Sequence, residues 1–244
     1  IGGTRGMGRG VVRIFLPDGP LSVIGRHTPY VSDVAGGILH ETVDITDRDA
    51  AQGAILRLVA RNGPFDNVVF THRYRDAGDD WAGHLETGLT AARDIIDFLV
   101  AEDGRMSRGS IVFVSSIASA YVVQEQSIGF HISKAATDQL VRYYAVKLGP
   151  KGIRVNGINP GRFIKDEARD YYAANEDLRI AYEALSPLGR IGTLDEIVSV
   201  VKFLCSAAAS YVTGQSLVLD GGLSLHGHDS MMNLAAGLYG RQLS

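Results

Sequence analysis

The sequence has one cysteine, Cys205, among its 244 residues, so no disulfide can form within the chain. This cysteine content is typical of a reducing compartment, and we expect a cytoplasmic protein. No apolar run is long enough to cross a membrane as a helix. The 24 basic and 27 acidic side chains give a net charge of only -3. The overall charge therefore predicts neither a nucleic acid nor an acidic membrane as a partner.

Short apolar segments alternate with longer helical ones along the whole chain. We predict strands at 21–25, 67–71, 110–115, 152–158 and 217–219, and helices at 50–60, 81–99, 130–148 and 194–206. This alternation is typical of repeated βαβ units, so we expect an α/β fold in one domain over residues 1–244. Residues 162–184 are rich in tyrosine and charge, and we predict a helical lid there.

A glycine-rich turn opens the chain. The first residues are Ile1-Gly2-Gly3-Thr4-Arg5-Gly6-Met7-Gly8, with glycines at the spacing GxxxGxG. Glycine permits a tight turn and a close approach of pyrophosphate to the backbone, and free N–H groups at the start of the next helix attract anions. A buried strand should precede such a turn. We therefore expect residues upstream of Ile1, and any targeting peptide would lie with them.

The end of the first predicted strand indicates which dinucleotide the turn would hold. Arg26 stands where an NAD-binding protein carries an acidic residue for the ribose 2′-hydroxyl. A guanidinium suits a 2′-phosphate instead, so the predicted cofactor is NADP(H), and Arg5 is a second candidate for this contact. The alternative is that Arg26 is an ordinary solvated surface arginine.

Several motifs then follow in a characteristic order. They are the opening glycine turn, VDITD at 43–47, GSIVFVSS at 109–116, SKAA at 133–136, RVNGINPG at 154–161, PLGRIG at 187–192, and the TGQ and DGG triplets within 213–222. Together they resemble the short-chain dehydrogenase/reductase family from end to end. The resemblance implies a Rossmann-like, doubly wound parallel sheet of about seven strands, flanked by helices. It also implies a homodimer or homotetramer that uses the helices at 81–99 and 130–148.

The same resemblance implies where a dinucleotide would lie. It would cross the carboxyl ends of the strands, with Asp44 and Ile45 against the adenine. The backbone that follows Pro160 and Gly161, near Phe163, would meet the nicotinamide amide.

The catalytic positions implied by the family are only partly filled. Lys134 matches the lysine that holds the nicotinamide ribose, and Ser116 matches the serine that binds the substrate oxygen, within one residue of loop uncertainty. Phe130 stands where the family has a proton-exchanging tyrosine, and Gly88 stands at the relay asparagine. Lys165 replaces a threonine after the Pro-Gly turn.

The family's Asn-Asn-Ala-Gly segment is replaced as well, by Phe70-Thr71-His72-Arg73. With these departures, the sequence resembles a divergent member of the family. A phenyl ring cannot exchange a proton, and losing a positioned acid or base costs roughly 10²–10⁴ in rate. His131 and Tyr121 are candidate replacements for the tyrosine. Arg73 is a candidate ligand for a cofactor phosphate or for an anionic substrate.

The sequence thus predicts an NADP(H)-dependent oxidoreductase with an atypical active site, acting on an activated C=O, C=N or C=C group of a small molecule. Ser116 would orient the substrate, Lys134 the ribose, and Phe130 would pack against the reacting group. The alternatives are a non-redox lyase, isomerase or cyclase, and a non-catalytic dinucleotide-binding protein. No metal site is expected, because His226 and His228 lack a third ligand.

Overall fold

The strands are short and all of their pairings are parallel. In a computed structural model that describes residues 1–28, 37–75, 80–101, 104–164, 171 and 174–237, they are β1 (Ser22–Gly25), β2 (Leu39–Thr42), β3 (Asn67–Phe70), β4 (Gly109–Val114), β5 (Ile153–Pro160), β6 (Phe163–Ile164), β7 (Gly192–Thr193) and β8 (Ser216–Leu219). β1 pairs with β2, and a four-stranded sheet has the order β3-β4-β5-β8. β6 pairs with β7.

Ile1 and Gly2 connect the two main sheets. The Gly2 amide donates to the Ile24 carbonyl at 2.7 Å, and the Thr71 amide donates to the Ile1 carbonyl at 2.9 Å. The order of the strands therefore reverses at this point, with β1 and β2 on one side of it and β3, β4, β5 and β8 on the other. A reversal of this kind is a topological switch point, where open α/β sheets bind ligands at the carboxyl ends of their strands.

Helices cover both faces of the sheets. They are α1 (Gly6–Phe15), α2 (Arg48–Asn62), α3 (Trp81–Leu85), α4 (Ala91–Leu99), α5 (Ile128–Leu148), α6 (Glu176–Leu185), α7 (Leu194–Cys205) and α8 (His228–Ala235). A π-helical segment, Glu86–Thr90, joins α3 to α4 without a break. In the part of the chain that the structure describes, none of the helices has the length and apolar character needed to span a bilayer.

Alternation along β4 produces two separate cores. Ile111 and Phe113 belong to a core that includes side chains of α2, α4 and α5. Val112 points to the opposite face and packs with side chains of α1 and α7. Successive strand residues face opposite sides, so one strand contributes to both layers. The doubly wound α/β architecture predicted from the sequence is confirmed.

The predicted elements agree with the structure in most places. The main layer contains six of the seven strands that the resemblance implies, and Ile1 and Gly2 lie between β1 and β3. The strand expected upstream of the glycine turn stays a prediction, as does the single domain over residues 1–244.

The helical lid predicted at 162–184 is wrong at its start. Phe163 and Ile164 form β6 because they pair with β7, whereas Glu176–Leu185 form the helix α6. Residues 165–170, 172 and 173, and with them the departure noted at Lys165, lie outside the described residues.

Candidate functional site

A cleft of about 590 Å³ opens at the carboxyl ends of the strands beside Ile1 and Gly2. This volume lies within the usual range for small-molecule and cofactor sites. Almost all of the site residues predicted from the sequence line it: Gly2, Thr4, Arg5, Met7, Gly8, Arg26, Asp44, Ile45, Ser116, Phe130, Lys134, Pro160, Gly161 and Phe163. Gly6 is the exception and lies at the first position of α1.

The glycine turn gives the cleft an open helix terminus. Gly6 has a φ of +51°, which favours glycine, and it begins α1. A Cβ atom on Gly8 would overlap the Gly2 carbonyl oxygen and would lie 2.6 Å from Thr71 Oγ1. Arg5 makes no side-chain capping bond, and the first turn of α1 has no acidic residue. The first amides of α1 are therefore suited to an anion.

Asp44 and Arg26 mark the β1 end of the cleft. Asp44 Oδ1 accepts hydrogen bonds from the Thr46 amide at 3.0 Å and from Thr46 Oγ1 at 2.8 Å. Burial acts to raise the pKa of Asp44, but these hydrogen bonds and the Arg26 charge together hold that pKa below its usual value. Asp44 is therefore a fixed, ionised acceptor beside a guanidinium.

The cleft is strongly cationic although the chain carries a net charge of -3. The cationic side chains that line it are Arg5, Arg26, Arg73, Arg75 and Lys134. Asp44 is the only carboxylate among the described residues of the lining. This local excess of positive charge favours a ligand with several negative charges.

Phe130 and Lys134 lie one turn apart on α5, and each is only 8% exposed. Lys134 Nζ donates to the Val114 carbonyl at 3.2 Å. Burial, together with the charge of Arg73, lowers the pKa of Lys134 to about 8, although Asp138 opposes this shift. Phe130, four residues before Lys134, therefore places a ring without a hydroxyl next to this ammonium group, as the sequence predicts.

Ser115 and Ser116 have different roles. Ser115 is buried, and its hydroxyl donates to the Lys134 carbonyl at 3.2 Å, so it ties β4 to α5. Ser116 Oγ accepts from the Ala118 amide at 3.2 Å at the start of a short 3-10 turn. That bond uses only the oxygen, so the hydroxyl hydrogen of Ser116 remains able to reach a ligand.

The two candidate replacements for the tyrosine are engaged elsewhere. His131 Nε2 accepts from the Val123 amide at 2.8 Å, and its Nδ1 bonds to the Ser127 carbonyl at 2.7 Å. Tyr121 is 47% exposed, and its hydroxyl donates to the Ser224 carbonyl at 3.4 Å. Neither residue lines the cleft. The structure therefore does not support either one as a proton donor.

A second, very small cavity of about 10 Å³ lies behind Phe130. Gly88 and Lys134 border it, and so does His72, whose Nδ1 is buried without a hydrogen-bond partner in the described residues. Burial and the nearby charge of Lys134 lower the pKa of His72 to about 3, so its ring is neutral. An asparagine at position 88 would fill part of this space, since a Cβ there would lie 3.4 Å from Ser133 Cβ.

Sequence reasoning missed Arg75. This residue lines the cleft, and its Nη2 atom lies 3.9 Å from the position that a Cβ on Gly6 would occupy. The available signal was the alternation Arg73-Tyr74-Arg75 directly after a predicted strand, which directs both arginines to one side of an extended segment.

Comparisons with known proteins agree with this geometry. The family model described as enoyl-(acyl carrier protein) reductase matches residues 28–224. A tropinone reductase homolog of Arabidopsis thaliana is 41% identical over 200 residues, which cover 82% of this chain and 72% of that protein. Protein FixR of Bradyrhizobium diazoefficiens is 31% identical over 242 residues, covering 92% of this chain and 85% of that one. The chain spans about half the length, 48–57%, of three other tropinone reductase homologs that it matches.

A solved structure is similar over nearly the whole chain. A mutant of a Serratia marcescens short-chain dehydrogenase/reductase has a TM-score of 0.78 at 25% identity, covering 91% of this chain and 95% of that one. The motifs quoted above, the doubly wound sheet and the match to the family model therefore lead to one conclusion: the chain belongs to the short-chain dehydrogenase/reductase family.

Proposed function

We propose that the protein is an NADP(H)-dependent oxidoreductase with an atypical active site, which reduces an activated C=O, C=N or C=C group of a small molecule. The observation that carries this proposal is the cationic cleft at the topological switch point. This cleft extends from the uncapped N-terminus of α1 to Lys134. An elongated ligand with phosphate groups along its length matches this distribution of charge.

In this proposal, each part of the cofactor would meet a different set of residues. The amides of the turn from Gly2 to Gly8 would hold the diphosphate, with Arg5 near it. Arg26 would bind the 2′-phosphate, and Asp44 and Ile45 would contact the adenine. Lys134 would hold the nicotinamide ribose, while Pro160, Gly161 and Phe163 would meet the nicotinamide amide.

Two structural neighbours support this choice of cofactor. ElxO was solved with NADP bound and has a TM-score of 0.80 at 22% identity, covering 92% of this chain and 97% of that one. An actinorhodin polyketide ketoreductase was solved with NADPH and has a TM-score of 0.79. Both share the fold, and the cationic cleft supports the same class of ligand in this chain.

The site residues favour a substrate that needs little help with proton transfer. When bound, the cofactor supplies hydride chemistry, and the protein contributes position and electrostatics. Ser116 can donate a hydrogen bond to a substrate atom. Phe130 offers an apolar surface and no proton, so a strongly electrophilic group such as an iminium or an activated alkene suits this site better than a simple ketone.

A non-redox lyase, isomerase or cyclase is the second candidate. The observation that favours it is the combination of Phe130 and Gly88, because both stand at positions that handle protons in the family. The nucleotide would then have a structural role. A fold alone does not fix the chemistry that it carries.

Two measurements separate these possibilities. Calorimetric titration of the protein with NADPH tests the cleft, and we expect saturable binding. Stoichiometric NADPH oxidation with a panel of aldehydes, iminium compounds and enones tests the redox reaction. Substrate turnover without NADPH oxidation would favour the second candidate. The absence of both a binding heat and a thermal shift with saturating NADPH would refute the proposal.

We also propose self-association through α5 and the helix that begins with α3. Val146 and Tyr143 on α5 are 81% and 57% exposed, and Trp81 at the start of α3 is 47% exposed. Apolar side chains grouped on the outside of two helices are typical of subunit interfaces. Light scattering should give the mass of a dimer or a tetramer, and a monomer would contradict this expectation.

A further inference from the structure

Arg73 and Lys134 bring two positive charges together at the inner end of the cleft. Both line the cleft and the small cavity behind Phe130. Because of this shared position, the Arg73 charge adds to burial, the larger cause, in lowering the pKa of Lys134. Like charges in a partly dehydrated site repel each other more strongly than they would in bulk water.

Arg73 has no counter-ion in the part of the chain that the structure describes. Among the described residues, no carboxylate lies within ion-pair distance of its guanidinium. The pKa of Arg73 is lowered by burial and then by the positive charge of Arg75, and no negative group offsets these two effects. The Arg73 side chain is exposed within the open cleft, so its guanidinium is accessible to a bound anion that would supply the missing counter-charge.

The position of Arg73 distinguishes it from the arginines at the other end of the cleft. Arg75 lies beside Gly6, at the first turn of α1, where a diphosphate would be held. Arg73 borders the same cavity as Phe130, Gly88 and Lys134, whereas Arg75 and Arg5 do not border it. Arg73 is therefore placed at the Phe130 end, where a substrate would meet the nicotinamide.

We propose that Arg73 binds an anionic group of the substrate, a carboxylate or a phosphate, beside Phe130 and Lys134. A guanidinium can hold either group through two parallel hydrogen bonds. The substrate would then be an acid or a phosphate ester that carries its reducible group a short distance from the charge. This inference rests on the proposed function for the position of the cofactor.

The binding experiment uses protein saturated with NADPH, with malonate and inorganic phosphate as separate probes. For Arg73→Gln we expect the affinity for at least one probe to fall about 10- to 100-fold, the usual effect of losing a charge-assisted contact, with NADPH affinity nearly unchanged. Arg73→Lys should recover part of the loss. Arg75→Gln is the matched control, and it should weaken NADPH while leaving the probe affinity similar. The probe that binds tighter identifies the preferred anion.

The activity experiment compares 4-carboxybenzaldehyde with its neutral methyl ester. We expect wild-type kcat/KM to favour the acid, and Arg73→Gln to remove this preference mainly through KM. Equal use of both aldehydes by the wild type would overturn the inference. So would an Arg73→Gln variant that loses NADPH affinity but keeps malonate and phosphate binding, because Arg73 would then be a cofactor ligand.

The role of Arg73 can be tested separately from the proposed function. If NADPH does not bind to the wild type, the same malonate and phosphate titrations on the cofactor-free protein still decide the role of Arg73. A loss in Arg73→Gln that is absent in Arg75→Gln would support an anion site. Equal affinities in the wild type and Arg73→Gln would refute it.

Discussion

Lys134 Nζ lies 5.6 Å from the centroid of the Phe130 ring, and both side chains border the cleft. A cation at this distance is attracted by the ring electrons, so the pair is stable without a phenolic hydroxyl. Lys134 also bonds to the Val114 carbonyl, which keeps its ammonium group in place. This part of the site therefore consists of an apolar ring next to a fixed cation.

Replacing Phe130 with tyrosine tests whether a missing proton donor limits the reaction. We expect Phe130→Tyr to raise kcat for simple ketones by about 10²-fold, the lower end of the usual contribution of a positioned acid. NADPH oxidation measures the change, and Phe130→Leu is the control that alters the ring without adding a hydroxyl. No gain with tyrosine would mean that the surrounding pocket has diverged further than one atom.

The glycine turn is tested by adding a single methyl group. A Cβ on Gly8 would overlap the Gly2 carbonyl oxygen, so Gly8→Ala must distort the turn. We expect NADPH binding to weaken by ~1–3 kcal/mol, the usual cost of forcing extra volume into a packed site. Gly149→Ala is the matched control, because a Cβ there meets no atom within 4 Å. Similar calorimetric affinities for the two variants would exclude the turn as the diphosphate site.

Arg26 is tested through the difference between two cofactors. Because only NADPH carries the 2′-phosphate, Arg26→Ala should reduce its affinity by roughly 1.5–3 kcal/mol, as expected for a hydrogen bond to a charged group. NADH affinity should change little. Titrating both cofactors into both proteins measures the effect, and an equal loss for NADH and NADPH would remove the assignment of NADP(H).

The ionisation of Lys134 predicts a pH dependence of binding. Its pKa in the folded protein is lowered to about 8, so the ammonium group is present below that pH and is lost above it. A phosphate-bearing cofactor favours the charged form, so NADPH affinity should fall as the pH rises through about 8. The neighbouring His72 does not titrate in this range, because its pKa is lowered to about 3.

The matched control for this pH dependence is Lys134→Met, which keeps a side chain of similar length without the charge. Its NADPH affinity should be lower at neutral pH and should lack the step near pH 8. A step of the same size in Lys134→Met would assign the titration to another group.

Local signals predicted the long elements well. The helix predicted at 130–148 extends over Ile128–Leu148, and it starts earlier because Ser127 Oγ accepts a hydrogen bond from the Phe130 amide. β2 was missed because, among the described residues, Leu39–Thr42 pairs only with β1 and is partly exposed. Its polar residues His40 and Glu41 obscure the apolar pattern of a strand.

Features that depend on distant contacts were not predictable. β6 forms because Phe163 and Ile164 meet Gly192 and Thr193, nearly thirty residues later in the chain. The alternation at 73–75 could have placed Arg75 on the same side as Arg73, but the closeness of Arg75 to Gly6 arises only after β3 and the glycine turn come together. The family motifs identified most of the cleft lining. The lack of a counter-ion for Arg73 among the described residues could be recognised only in the folded structure.

His131 has a consequence for how the site can be altered. Its two backbone hydrogen bonds fasten the segment between Ser116 and Phe130 to the first turn of α5. These two bonds help to set the spacing between the hydroxyl of Ser116 and the ring of Phe130, and the His131 ring also contacts the Phe130 ring edge to face, with the centroids 6.2 Å apart. Removal of the His131 side chain would therefore release the segment before α5 and alter the distance between Ser116 and Phe130, on which any chemistry between them depends.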